Sequence, residues 1–265
     1  MKILDFHNHI FPPKIAHKVV DRLGCYYHYN MHGTGECGNL VRLAKDAGMT
    51  KVLVHSTATK ISQVETINDY VAEQVREQNG FFIGFGTLHQ DYDNVSGELE
   101  RMKSLGLMGI KLHPDFQGFE TDCDKMQKIY EKIGDKFPVL IHVGDVHTDM
   151  SSPKRLARMV KKFPEVTFIA AHFGGYSRWE ESYEYLCGED VYFDTSSSLD
   201  KLSNDMAMKM IRKHGIEKIL YASDYPIITH KECLERFTEL PLSDEEFELV
   251  LWKNAAKLLN IEEGK

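Results

Sequence analysis

Short apolar runs recur along the chain at residues 3–9, 51–56, 81–88, 109–113, 138–144, 166–172, 191–196 and 219–224. Each is rich in Val, Ile, Leu, Phe or Ala and too short for a helix, the pattern of a strand covered on both faces. Between them lie charged segments with helical spacing, at residues 40–47, 61–77, 95–105, 125–136, 154–162, 201–214 and 231–239, and a last one at about 244–260. Strands alternating with helices predict a parallel sheet wrapped by helices. Eight such units predict one α/β domain over residues 1–265, a (β/α)8 TIM barrel. An open doubly wound sheet would carry a Gly-rich phosphate turn after an early strand, and G-x-G-x-x-G is absent.

One stretch breaks the rhythm. Residues 11–38 begin with Pro12-Pro13, suit a short helix near 14–23, and then run through Cys25-Tyr26-Tyr27-His28-Tyr29-Asn30-Met31-His32. After a barrel strand this segment reads as a lid-like loop, a homodimer contact or a variable surface loop.

Composition narrows the classes. The chain is 42% hydrophobic and 27% charged, ordinary for a globular domain, with a net charge of −8. That balance argues against nucleic acid or an anionic membrane as partner and leaves a small-molecule substrate. No apolar run is long enough to span a bilayer, and no signal-peptide pattern is seen. Five cysteines, scattered and without C-x-x-C, read as packing residues in a reduced, cytoplasmic setting.

The histidines carry the chemistry. Seven of the 13, His7, His9, His55, His89, His113, His142 and His172, fall at the C-terminal ends of predicted strands, and Asp224 ends the last one. In a barrel those ends converge on the active face. In the first strand, alternation puts Asp5, His7 and His9 on one face. His7, His9, His142 and Asp224 would supply three nitrogens and one carboxylate oxygen to a divalent metal, leaving a position for water. Zinc is the expected ion, with manganese the alternative. His172 would act beside it as acid–base group or hydrogen-bond orienter, and Asp224 would share that work. His55, His89 and His113 read equally well as parts of a buried polar network.

Five motifs in order carry a resemblance. Asp5-x-His7-x-His9, Gly109-Ile110-Lys111-Leu112-His113-Pro114, Ile141-His142-Val143-Gly144, Ala171-His172-Phe173-Gly174-Gly175 and Tyr221-Ala222-Ser223-Asp224-Tyr225-Pro226 resemble the amidohydrolase-related family. This is the type-2 branch of the amidohydrolase superfamily, which includes aminocarboxymuconate-semialdehyde decarboxylase. The resemblance implies a metal-bearing barrel with one divalent ion, His7, His9, His142 and Asp224 as ligands and His172 as catalytic histidine. Two-metal members of the superfamily carry a carbamylated lysine on the fourth strand, where Lys111 stands. The reading favoured here leaves Lys111 uncarbamylated, binding a substrate carboxylate or carbonyl. His113, which faces the same way, and Arg178 are the other substrate-binding candidates. The expected activity is hydrolysis of an amide, ester or lactone carbonyl; the alternative is non-oxidative decarboxylation of an unsaturated or aromatic acid. A non-catalytic barrel would be expected to have lost one of these positions, and all five are filled.

Overall fold

The computed structural model describes residues 1–261. Eight parallel strands follow chain order in one sheet: β1 Leu4–His9, β2 Lys51–His55, β3 Phe82–Thr87, β4 Gly109–Leu112, β5 Val139–Ile141, β6 Phe168–Ala170, β7 Tyr192–Asp194 and β8 Ile219–Leu220. The barrel closes between β8 and β1. There Phe6 N–H donates to Tyr221 O (2.9 Å), Asp224 N–H to His7 O (3.0 Å) and His9 N–H to Tyr225 O (2.8 Å). No helix among the described residues is long and apolar enough to cross a membrane.

The predicted runs overshoot the later strands because their last residues leave the ladder to build the mouth. Asp224 is the extreme case, with φ of 74° four residues beyond the end of β8. The first strand departs from simple alternation as well. Its register against β2 shifts between Asp5 and Asn8. Phe6 packs inside the barrel with Leu4, edge-on to Phe85 at 5.8 Å, and the shift lets His7 and His9 still reach the mouth. Asp5 does not share their surroundings, contrary to strict alternation. Its carboxylate accepts from Ser223 N–H (3.0 Å) and His7 N–H (3.1 Å) and lies 3.4 Å from His230. Leu4, Leu53, Ile83, Leu140, Ile169 and Leu220 complete the interior, and Trp252 and Leu259 pack against it.

The helices are α1 Pro13–Tyr27, α2 Cys37–Asp46, α3 Val64–Glu77, α4 Val95–Ser104, α5 Pro114–Gln117, α6 Asp124–Ile133, α7 Pro153–Lys162, α8 Trp179–Tyr185, α9 Asn204–His214, α10 His230–Thr238, α11 Asp244–Glu248 and α12 Asn254–Leu258. Much of the expected lid loop is helix. α1 runs through Tyr27 and stops where His28 turns left-handed (φ 54°), its N–H bonded to Gly24 O. α9 starts later than predicted because Ser203 caps it, accepting from Met206 N–H. The expected last helix is divided by a π turn at Leu249–Lys253.

Candidate metal centre and its cavity

Three donor atoms meet where β1 and β8 close the barrel. His7 Nε2 and His9 Nε2 are 3.3 Å apart, and each lies 3.4 Å from Asp224 Oδ1. The edge of a tetrahedron around an ion bound at ~2.0–2.1 Å is about 3.3–3.4 Å, so this triangle fits a zinc-sized cation without rearrangement. The surroundings fix the donors. Asp194 Oδ2 lies 2.8 Å from His7 Nδ1 and leaves Nε2 for the centre. Ser197 Oγ donates to Asp224 Oδ2 at 2.6 Å. Lys111, fully buried, places Nζ 3.0 Å from His7 Nε2.

Protonation suits a cation too. Burial pushes the Asp194 carboxyl up, but His7, His172 and Ser196 outweigh it and hold it at about 2. Burial acts likewise on Asp224, and His7, His9 and His172 outweigh it, keeping that carboxyl well below its ordinary range. Burial lowers His9 to about 4 against the pull of Asp224. Ionised carboxylates and neutral imidazoles are the forms in which these side chains bind metal. Burial also lowers Lys111 to about 8, opposed by Asp194 and Asp224.

His172 stands on a strained turn after β6. Its φ is 62° and that of Phe173 is 51°, both left-handed without being glycine. Asp194 holds the turn: Oδ1 accepts from His172 N–H (2.9 Å) and its carbonyl from Phe173 N–H (2.8 Å). The Trp179 indole donates to His172 O at 3.0 Å. The ring is thereby set with Nδ1 2.9 Å from Ser196 Oγ and Nε2 2.9 Å from His142 Nδ1. Burial lowers His172 to about 4, with Asp224 opposing. Gly144 permits the neighbouring approach, since a Cβ there would fall 2.5 Å from Tyr176 O.

Opposite the triangle the mouth is built of ring faces. His113 stacks between Phe116 (4.0 Å) and His142 (3.9 Å). Tyr27, at the end of α1, sets its hydroxyl 3.2 Å from His113 Nε2. Between the two sides lies a narrow cavity that opens to solvent. Its polar end is His9, His142, His172 and Asp224; Leu23, Tyr27, Phe116, Tyr176 and Ile227 supply the apolar walls.

The sequence candidates separate accordingly. His9, His113, His142, His172 and Asp224 share the cavity; His7 and Lys111 lie beneath, shielded from it. His142 is not within hydrogen-bond reach of the triangle: Nδ1 faces His172, and Nε2 has no hydrogen-bond partner and lies 3.9 Å from Asp115. His55 packs against His7 and His9, with both ring nitrogens unpartnered. His89 stands apart, its Nδ1 accepting from Asp91 N–H. Arg178 is drawn away from the cavity by Asp149 (2.8 Å) and Glu181 (2.7 Å). Asp194, Ser196 and Tyr176 were not among the sequence candidates. Asp194 ends β7, and that strand-end position was the available signal.

The whole barrel, residues 4–261, matches the amidohydrolase family, and the chain belongs to it, in its type-2 branch. Decarboxylase orsB of Emericella nidulans is 27% identical over 163 residues, 60% of this chain. The match spans 44% of that relative, less than half its length. A dihydroxybenzoic acid decarboxylase from Polaromonas sp. JS666, with bound manganese and 2-nitroresorcinol, superposes with a TM-score of 0.74 at 16% identity, covering 98% of this chain and 97% of the other. A probable 2-pyrone-4,6-dicarboxylic acid hydrolase from Acinetobacter baumannii gives 0.71 at 15%, covering 98% and 100%. At such identities the superpositions establish the fold alone.

Proposed function

We propose that the chain is a metal-dependent non-oxidative decarboxylase of a small unsaturated or aromatic carboxylic acid. The observation that carries this is the cavity: planar ring walls lead to a polar end of His9, His142, His172 and Asp224. The decarboxylases among the relatives support it and turn the emphasis from hydrolysis to decarboxylation. His7, His9 and Asp224 would hold one divalent ion, zinc by the edge lengths, with the remaining position left for substrate. When bound, the ion would anchor substrate oxygens and stabilise negative charge on them.

The reaction exchanges one bond for another. The carbon bearing the carboxylate gains a proton, its bond to the carboxylate breaks, and carbon dioxide leaves; no water is consumed. His172 would deliver the proton. Its imidazole is neutral while the cavity holds no anion, and a carboxylate arriving beside it favours the imidazolium. The apolar walls disfavour the charged carboxylate relative to neutral carbon dioxide. Lys111, enclosed beneath the cavity, balances Asp194 and Asp224 rather than meeting substrate.

Hydrolysis of a lactone is the second reading, supported by the probable hydrolase sharing the fold. One assay separates the two. Zinc-loaded protein is offered dihydroxybenzoates and 2-pyrone-4,6-dicarboxylate, with carbon dioxide release and ring opening followed together. Carbon dioxide release, lost on chelation and restored by metal, is expected; ring opening without carbon dioxide would overturn the proposal.

A further inference from the structure

The divalent ion would meet one acidic group of the substrate; a second acidic group would need another cation at the cavity. Lys111 is fully buried against His7 and does not line the cavity. Arg178 is neutralised by two carboxylates.

Lys201 remains. It lies in the loop between β7 and α9 and donates to the hydroxyl of Tyr176, a cavity wall residue. Its ammonium sits 4.4 Å from the Tyr176 ring centre and 4.7 Å from that of Tyr29. Among the described residues its hydrogen-bond partner is this phenol, not a carboxylate. Asp200, and after it Asp224, are close enough to act on its charge. Cation–π contacts of this kind contribute only about 0.5–1 kcal/mol each at exposed sites. Aromatic rings thus hold the ammonium in place, and an arriving anion can replace them at little cost.

We propose that Lys201 is a specificity residue that binds a second acidic group of the substrate at the outer end of the cavity. The substrate class is therefore a small unsaturated acid bearing two anionic groups, one directed to the donor triangle and one to Lys201. This rests on the carboxylic-acid reading of the site above. Lys201 does not touch the reacting carbon, so its loss should act on binding.

The test uses two non-reacting probes, benzoate and benzene-1,3-dicarboxylate, titrated calorimetrically into the zinc-loaded full chain and its Lys201→Met variant. The wild type should bind the dicarboxylate about tenfold more tightly than benzoate, the effect of one charge-assisted contact. In Lys201→Met that preference should vanish while benzoate affinity and metal content stay unchanged. Equal binding of both probes by the wild type, or a preference surviving in Lys201→Met, would overturn the role of Lys201 and leave the decarboxylase reading intact. Binding of neither probe would overturn the carboxylic-acid reading and this proposal with it. Lys201→Arg, which keeps the charge, should retain the preference, and its loss there would also count against the proposal.

Discussion

On the side of the mouth made by β1, β7 and β8, His7, Asp194, Ser196, Ser197 and Asp224 are tied to one another or to the His172 turn. On the side made by β2, β4 and β5, His55 has no partner on either ring nitrogen, and His113 Nδ1, His142 Nε2 and Asp115 Oδ2 also lack one. The difference follows from charge. The first side is organised around two carboxylates that stay ionised in spite of burial. On the second, burial strips charge from the imidazoles of His55, His113 and His142 and pushes the Asp115 carboxyl up. Fixed negative charge attracts a cation, and neutral stacked rings accept a planar, uncharged face. One mouth thus divides into a metal-holding half and a ring-holding half.

The sharpest way to break this division is to remove charge from the first half. Asp224→Asn deletes the ionised oxygen of the triangle while keeping its shape. Metal content, measured by mass spectrometry after dialysis, should fall from about one ion per chain to almost none, and activity should disappear with it. His7→Ala combined with His9→Ala should do the same. Full occupancy in either protein would show that the triangle is not the metal site.

His172 stands at the border of the two halves. His172→Ala should keep its metal but lose activity by roughly 10²–10⁴-fold, the range for a missing acid–base group. Parallel loss of metal would move His172 into the ligand set. Asp194→Asn should act more weakly, through His7. Metal affinity should drop about 10–100-fold, as for other groups that orient a ligand from behind. An unchanged affinity would leave the Asp194–His7 pair with a folding role only.

The metal-holding half was the more legible in sequence, for a physical reason. Its residues sit at strand ends, and strand ends are marked by the apolar runs that precede them. Asp194 escaped because its strand carries no histidine to draw attention, although its position was equivalent. The β1 shift that sends Asp5 towards Ser223 and His230 cannot be read from alternation, because a bulge leaves the residue types unchanged. The ring-holding half depends on contacts between distant segments. Tyr27 meets His113 across 86 positions, and Arg178 is claimed by Asp149 from another loop. α8, with the polar sequence WEESYEY, offers too few apolar positions to show a helical period. Local pattern thus reports the barrel and its strand-end donors; loop-to-loop pairing decides which cations and rings reach the cavity.

The smallest effect expected is on acid stability, and His113 reads it in the ring-holding half. A buried imidazole held below its ordinary pKa stays neutral in the folded chain while its unfolded counterpart takes a proton below about pH 6.5. Protons then favour the unfolded state, so stability declines as pH falls from about 6.5 towards the folded value. His9 and His172, at about 4, and His113, lowered further by burial and then by His142, all act in this direction. Asp194, at about 2, has the opposite linkage: its contribution is present above the ordinary carboxylate pKa and fades only as pH falls through 2. Between pH 7 and 5 the histidines therefore dominate, and the melting temperature of metal-stripped protein should fall. His113→Phe removes one of these imidazoles while keeping a ring between Phe116 and His142. Thermal melts of this variant at pH 7 and pH 5 should show a smaller drop than the wild type, with metal content unchanged after reloading. An equal or steeper drop would mean that His113 is not a neutral ring in the folded chain, and the charge contrast between the two halves of the mouth would fail at that residue.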